Sequence, residues 1–287
     1  MTGEPARTRA VFTAAVDQAT AGYRLPLAEL VPAAGRAGFP VLEVPAFALT
    51  DHRRTWGQHG LVCLLERHQV RIGQLSCGTG IPADLTVPAA QWPQATVRWQ
   101  AACRLAASVG CPRLSLFVPR KAADAEQVAV RLRQLARVAA DHALEVSVEM
   151  HAPALLPQAV EVLRHAAVPT AGLLVDVTAL ALAGLDPAPY IAALPPGAVR
   201  WAHLADLPQL PAAGGGEQPR RVLPGAGCLP LARALTALRG TGFSGPVAVE
   251  VPRGEPYGPG TAAHLTRAAR SLTGGPLAAF FTPGGDR

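Results

Sequence analysis

The chain has 287 residues, of which 49% are hydrophobic and 16% charged, and its formal net charge is +6. This length suits a single barrel domain of ~250 residues, and the apolar content excludes a disordered protein. No apolar run reaches the ~18 residues of a membrane span. The opening stretch carries Glu4, Arg7 and Arg9 and leads into no signal-like apolar region. We therefore expect a soluble, cytoplasmic protein.

Arginine supplies most of the positive charge and is dispersed along the chain. A nucleic-acid footprint would need clustering of those charges, so we expect no nucleic-acid partner. The five cysteines form no CxxC pair and are odd in number, which favours free thiols in a reducing compartment. They are Cys63, Cys77, Cys103, Cys111 and Cys228.

Short runs that are apolar or rich in β-branched residues recur along the chain and predict strands buried on both faces. In chain order they are Ala10–Ala15, Val41–Val44, Val70–Leu75, Arg113–Val118, Leu144–Glu149, Gly172–Asp176, Val199–His203 and Val247–Glu250. Longer amphipathic segments between them predict helices. These are Leu27–Ala37, Thr55–His68, Ala95–Val109, Ala122–His142, Leu156–His165, Pro187–Ala193, Leu229–Leu238 and Gly260–Leu272.

Eight strands that each precede a helix predict an α/β fold, a single-domain (β/α)8 TIM barrel over residues 1–287. A doubly wound sheet would need a glycine-rich fingerprint after the first strand, where the chain has Ala15-Val16-Asp17-Gln18. Residues 1–9 and 274–287 are expected to be flexible or peripheral tails. The Pro- and Gly-rich stretch 207–227 follows a strand, so we expect it to form a loop over the active-site face of the barrel.

Four consecutive predicted strands each end in a residue that can ligate a metal, namely Glu149, Asp176, His203 and Glu250. The carboxyl ends of barrel strands converge on one face, and three buried carboxylates without a cation would be costly. Three oxygen donors and one imidazole suit Mn²⁺, Mg²⁺ or Co²⁺, and also admit Zn²⁺. The sequence therefore predicts a divalent-metal site.

The order of five short motifs resembles the xylose-isomerase-like superfamily of sugar isomerases and epimerases. The motifs are Glu149-Met150-His151, Val175-Asp176, His203-Leu204-Ala205-Asp206, Pro224-Gly225-Ala226-Gly227 and Val249-Glu250. Further upstream, Leu27–Glu43 is similar to the first helix and second strand of that family. The resemblance covers the chain from about Leu27 to Leu272.

This resemblance implies one divalent metal bound by Glu149, Asp176, His203 and Glu250. It also implies that the two glutamates exchange a proton with a substrate carbon through a metal-stabilised enediolate. Arg221, which matches the family pattern R-x-x-(P/L)-G-x-G, is expected to contact substrate oxygens.

Two further residues of these motifs have more than one interpretation. His151 lies two residues after Glu149, where it would bind substrate or stand as an ordinary loop histidine. Asp206 would hydrogen-bond a ligand, cap the following helix or orient the imidazole of His203, as carboxylates near metal-bound histidines commonly do.

One position departs from the family pattern. Many relatives carry D-x-x-H after the sixth strand, whereas this chain has Asp176-Val177-Thr178-Ala179. The histidine that would contact substrate, or a further metal in the related apurinic-site endonucleases, is replaced by Ala179. A nuclease is therefore disfavoured, and a substrate contact of the epimerases is missing.

We expect an enzyme of carbohydrate metabolism, a metal-dependent isomerase or epimerase of a small polyhydroxylated carbonyl compound such as a sugar, keto acid or cyclitol. A dehydratase that uses the same metal and glutamates is the alternative, and a degenerate barrel that only binds a ligand is a third. No membrane partner is expected, and a homodimer or homotetramer is left open.

Overall fold

A computed structural model of the chain describes residues 12–22, 24–76, 84–119, 124–151, 154–210, 219–252 and 260–281. Its eight strands confirm the eight that the apolar runs predict, with ends shifted by at most three residues. The strands are β1 Thr13–Asp17, β2 Val41–Pro45, β3 Arg71–Ser76, β4 Arg113–Val118, β5 Glu145–Met150, β6 Ala171–Asp176, β7 Val199–Leu204 and β8 Pro246–Val249.

The strands form a closed barrel in which each is parallel to its neighbours and β8 pairs with β1. Helices lie between them: α1 Gln18–Ala21, α2 Leu27–Ala37, α3 Ala46–Arg67, α4 Trp92–Ser108, α5 Ala125–Ala140, α6 Ala159–Ala166, α7 Val177–Leu182, α8 Pro187–Ala192, α9 Leu231–Gly240 and α10 Thr261–Thr273. This architecture confirms the predicted (β/α)8 TIM barrel. It also brings all eight carboxyl ends of the strands to one face.

The barrel interior is filled by an apolar layer that supports the face above it. Ala15, Val41, Leu174, Trp201 and Ala248 form a separate buried cluster there. Such a layer makes the barrel a packed core with no open pore. The polar side chains at the carboxyl ends of the strands therefore pack on a layer of buried apolar side chains.

Gly73 makes room for the largest side chain of that layer. A Cβ atom at Gly73 would lie 2.4 Å from Val41 Cγ1 and 3.1 Å from the Trp201 ring. The register between β2 and β3 also shifts here, so that Glu43 aligns with Gln74. The glycine and the shift together place Gln74 beside Glu43 inside the barrel.

Three helical segments differ from the sequence prediction. The helix predicted to begin at Thr55 begins at Ala46, and its two halves meet at a kink where Gly57 has φ 71°. The short helices α1 and α7 were not predicted, because four and six residues are too few to show a 3.6-residue period. Both begin at a strand-ending aspartate whose carboxylate caps the helix: Asp17 accepts from Ala19 N, and Asp176 from Thr178 N and Ala179 N.

The described part of the expected C-terminal tail is an ordered part of the barrel. Residues Gly275–Phe280 form a 3₁₀ helix, and Leu277, Phe280 and Phe281 are buried. Phe281 forms a parallel bridge with Phe12 beside β1. The expected tail at residues 1–9 lies outside the described residues. Within the described ranges, no helix combines the length and apolarity that a membrane span requires.

Candidate metal centre

The face formed by the strand carboxyl ends carries a dense group of polar side chains. Six of them converge there from six strands or the residue that follows one: Asp17, Glu43, Glu149, Asp176, His203 and Glu250. Side chains alternate along a strand. In five of the six strands the residue two positions earlier belongs to the apolar layer described above. An apolar-x-polar ending thus places each of these five functional groups directly above that layer.

The structure brings together the four residues predicted as metal ligands. Glu149, Asp176, His203 and Glu250 each offer one ligand atom, and these atoms all lie within 4.8 Å of one another. His203 Nδ1 lies 3.2 Å from Glu250 Oε2 and 4.0 Å from Glu149 Oε1. This nitrogen is buried and has hydrogen-bond geometry to no group in the described part of the chain.

Arg221 reaches this group from the loop that follows β7. Its guanidinium lies 2.6 Å from Asp176 Oδ2 and also contacts Glu250 Oε2. A second hydrogen bond from the same side chain is donated to the carbonyl oxygen of Glu250, at 3.3 Å. The segment that carries Arg221 therefore lies against the candidate centre.

Burial and charge act in opposite directions on the ionisable groups here. Burial alone would lower the pKa of His203, but the carboxylates of Glu43 and Glu250 outweigh burial and raise that pKa well above its ordinary value. Burial would raise the pKa of Glu250, but Arg221 and His203 lower it to about 2. Glu250 is therefore a carboxylate at neutral pH, and it lies between Arg221 and His203.

Asp17 and Glu43 also belong to the candidate centre, although the sequence prediction missed them. With His203 they form a second group of close ligand atoms, fully buried below the first. Burial, followed by the charges of Glu43 and Glu250, raises the pKa of Asp17 well above its ordinary value. Asp17 ends β1 and Glu43 lies within β2, and both follow the same apolar-x-acid pattern as Leu174-Val175-Asp176. That pattern is the signal that could have found them.

His151 lies at the edge of the centre. Its Nε2 atom is 3.1 Å from Glu149 Oε2, and its ring meets that of Phe117 edge-on. Burial would lower the pKa of His151, but the neighbouring Glu149 raises it overall. An imidazole in this place can carry a proton next to one of the two candidate catalytic glutamates.

Asp206, for which three roles were left open by the sequence, binds the backbone of its own loop. Its buried carboxylate accepts hydrogen bonds from the backbone N–H groups of Leu207, Gly225, Gly227 and Leu229. It thereby fixes the loop that carries Arg221 and precedes α9. The carboxylate that contacts the His203 imidazole is Glu43, whose Oε2 lies 2.7 Å from Nε2.

Ala179, the position that departs from the family pattern, lines a small cavity of about 20 Å³ beside Glu149 and Asp176. Tyr190 also lines it, but its hydroxyl donates to the Leu156 carbonyl, and burial raises its pKa to about 12. Neither Ala179 nor Tyr190 offers a base at neutral pH.

The fold and the site together place the chain in a class: (β/α)8 barrel proteins with a candidate metal centre at the carboxyl ends of the strands. The particular family follows from its sequence model, which matches residues 31–272: the chain belongs to the xylose isomerase-like TIM barrel family. No curated protein sequence matches the chain.

Several solved structures share the fold at low sequence identity. The IolI protein with a bound zinc atom has a TM-score of 0.81 and 16% identity, over 94% of this chain and all of that one. The probable 3-DHS dehydratase AsbF, involved in petrobactin synthesis, from Bacillus anthracis, has a TM-score of 0.73 and 16% identity, over 92% of this chain and 99% of that one. D-psicose 3-epimerase with D-tagatose, from Clostridium cellulolyticum H10, has a TM-score of 0.72 and 13% identity, over 91% of this chain and 97% of that one.

Proposed function

We propose that the chain is a divalent-metal-dependent isomerase or epimerase of a small polyhydroxylated carbonyl compound. The observation that carries this proposal is the placement of Glu149 and Glu250, which approach the same imidazole nitrogen from strands on either side of β6 and β7. Two carboxylates so placed can face a bound substrate carbon from two directions. That is the arrangement needed to remove a proton and to return one.

The residues present fit a divalent cation. Glu149, Asp176 and Glu250 would supply three oxygen ligands and His203 one nitrogen, a donor set suited to Mn²⁺, Mg²⁺, Co²⁺ or Zn²⁺. His203 Nδ1 lies 3.2 Å from Glu250 Oε2 and 4.0 Å from Glu149 Oε1, so the nitrogen donor and two of the oxygen donors face one another. A cation held there would polarise a carbonyl oxygen and stabilise the negative charge that develops when an adjacent carbon loses its proton.

The other residues of the centre support proton transfer. Arg221 keeps Glu250 ionised, and a carboxylate must be ionised to act as a base. The same guanidinium has donors left over for substrate oxygens, because it carries five N–H groups. His151 can exchange a proton with Glu149 at 3.1 Å and so reset that residue between turnovers.

The family supports this class of reaction but also includes structures with other chemistry. Among proteins of similar fold are a D-psicose 3-epimerase and a probable 3-DHS dehydratase. A dehydration would begin with the same proton removal and differ only in the loss of a neighbouring hydroxyl group. The test must therefore follow both the carbon-bound proton and the hydroxyl.

The experiment is a screen of ketoses, keto acids and cyclic polyol ketones in D₂O, with Mn²⁺, Co²⁺, Mg²⁺ or Zn²⁺ added to the purified chain. We expect deuterium to enter a carbon next to a carbonyl group, with the carbon skeleton and all hydroxyl groups retained. Deuterium entry with loss of water from the substrate would show that the chain is a dehydratase and not an isomerase. No exchange in any substrate class with any metal would contradict the proposal.

A further inference from the structure

A continuous chain of buried hydrogen bonds runs behind the candidate metal centre. Ser147 Oγ donates to Gln74 Oε1 at 2.6 Å, and Gln74 Nε2 donates to Glu43 Oε1 at 2.9 Å. The other oxygen of Glu43, Oε2, lies 2.7 Å from His203 Nε2. The chain thus connects β5, β3, β2 and β7 across the barrel interior.

Burial keeps the four side chains of this hydrogen-bond chain away from solvent. Ser147 and Gln74 are fully buried, Glu43 is 1% exposed and His203 is 3% exposed. Buried polar groups that lose a partner cannot recover it from water, so each bond of the chain constrains the next one. In this chain of hydrogen bonds, the donor and the acceptor of each bond are therefore fixed.

The direction of these hydrogen bonds is set by the carboxylate of Glu43. An ionised carboxylate only accepts hydrogen bonds, whereas a glutamine amide has a donating and an accepting end. Glu43 therefore requires the amide nitrogen of Gln74 on its side, which turns the amide oxygen towards Ser147 and makes the hydroxyl the donor. On the other side, an acceptor 2.7 Å from His203 Nε2 requires the proton to lie on that nitrogen.

We propose that Glu43, supported by Gln74 and Ser147, is a positioning residue that holds the proton of His203 on Nε2. Nδ1, which faces Glu149 and Glu250, is then the nitrogen whose lone pair is free to bind a cation. The inference rests on the proposed function, because it assigns His203 Nδ1 as a metal ligand. It adds Glu43, Gln74 and Ser147, none of which is among the four ligands.

Two isosteric variants test the direction of the chain. Glu43→Gln removes the charge and allows an amide N–H to face His203 Nε2, which would move the histidine proton to Nδ1. The double variant Glu43→Gln/Gln74→Glu moves the carboxylate from position 43 to position 74, one residue further from His203 along the hydrogen-bond chain. The new amide at position 43 can then present its oxygen to His203 while its nitrogen donates to the new carboxylate at position 74. A role limited to filling space would not distinguish the double variant from the single one.

The first readout is the dissociation constant for Zn²⁺, measured by titration of the purified chain against a competing chelator. We expect Glu43→Gln to weaken binding about 10–100-fold, the usual effect of losing a partner of a metal-bound histidine. The double variant should recover most of this loss, a strongly non-additive result. Ser147→Ala, at the far end of the chain, should give a smaller loss in the same direction and carries the test if Glu43→Gln does not fold.

Glu145→Gln is the matched control, because it makes the same carboxylate-to-amide change at the opposite end of β5, where Glu145 pairs with Arg113. Ser115→Ala is the control for Ser147→Ala, since Ser115 is a largely buried serine of β4 outside the chain of hydrogen bonds. Neither control should change the Zn²⁺ dissociation constant. Unchanged affinity in folded Glu43→Gln, or a double variant no better than the single one, would overturn the inference.

The second readout is the proton on His203 Nε2 itself, followed in ¹H–¹⁵N spectra of ¹⁵N-histidine-labelled protein and assigned with a His203→Asn variant. We expect a strongly downfield proton bound to Nε2 in the wild type, with or without Zn²⁺, and its loss or upfield shift in Glu43→Gln. A wild type that binds no divalent cation would defeat the proposed function, and this spectrum would still decide the role of Glu43. An Nε2 without a proton in the wild type would overturn that role.

Discussion

The two ends of the barrel differ in the ratio of acidic to basic side chains. At the amino-terminal end of the strands, Glu145 is paired with Arg113 and lies 3.5 Å from Arg200. Arg113 also lies over the Trp201 ring, 5.5 Å from its centroid. The single acid of this group lies near two arginines, so its charge is neutralised within the chain.

At the carboxyl end the acids are in excess. Five acids lie among three groups that can be cationic, namely His151, His203 and Arg221. The acids are Asp17, Glu43, Glu149, Asp176 and Glu250. Buried negative charges this close repel one another. The ion pairs at the amino-terminal end therefore stabilise the fold, whereas the carboxyl end has an excess of negative charge that a divalent cation would relieve.

The largest expected effect is on proton transfer. Glu250→Gln and Glu149→Gln, each with metal added to saturation, should lower the rate of deuterium exchange at least ~10²-fold, the scale of general-base catalysis. An amide has no usable basicity, although it can still occupy the same space. The rate is measured by mass spectrometry of a substrate that the wild type exchanges.

Glu145→Gln at the amino-terminal end provides the comparison for this experiment and should exchange at the wild-type rate. If both variants at the carboxyl end also retained near-wild-type exchange, the two-glutamate mechanism would be wrong. His151 would then be the next candidate for the base.

The second effect is on stability and concerns Asp206, whose carboxylate is satisfied entirely by backbone N–H groups. Asp206→Ala would leave four amide donors without this acceptor, at a cost of about 3 kcal/mol in the free energy of unfolding. Urea denaturation measures this cost. Asp186→Ala, which removes an ordinary helix-capping aspartate at α8, should cost only about 1 kcal/mol. Equal costs for the two variants would contradict the loop-anchoring role.

A smaller effect is expected from the ion pair at the amino-terminal end. Glu145→Gln should lower the free energy of unfolding by no more than about 1 kcal/mol, because the Glu145 side chain is 38% exposed and solvent screens such pairs. Metal affinity should not change. A shift in the metal dissociation constant would show that the two ends of the barrel are coupled, contrary to the comparison.

The smallest effect is chemical and leaves the fold intact. Burial raises the pKa values of Cys103 and Cys111 to about 12. Since the thiolate is the reactive form, at pH 8 only on the order of one such thiol in ten thousand is reactive. A thiol reagent should therefore modify the exposed Cys63 and Cys228 in the native protein, as mapped by peptide mass spectrometry. Equal modification of the buried pair before unfolding would contradict their burial.

Much of this molecule could be predicted from its sequence, because barrel strands are buried on both faces and stand out as short apolar runs. Arg113–Val118 and Leu27–Ala37 match a strand and a helix residue for residue. The four candidate ligands could be found because each lies at the end of such a run. Parallel strands in a barrel must deliver their ends to one face.

The remaining features depend on closure of the barrel and on loop conformation. Glu43 and His203 are 160 residues apart in sequence, and no local pattern shows that their side chains meet. Likewise, nothing near Asp206 in sequence shows that its carboxylate binds the backbone at Gly225 and Gly227. A carboxylate at the start of a loop looks the same in sequence whether it orients a histidine or anchors that loop.

The central claim is that Glu149, Asp176, His203 and Glu250 hold one divalent cation, and elemental analysis of protein never exposed to a chelator tests it most directly. We predict one divalent cation per wild-type chain and none in Asp176→Ala. Asp176 also caps α7, so Asp176→Asn, which keeps a capping oxygen, serves to separate loss of the ligand from loss of the cap. A wild-type chain without metal, or an Asp176→Ala chain that retains a full equivalent, would contradict the claim.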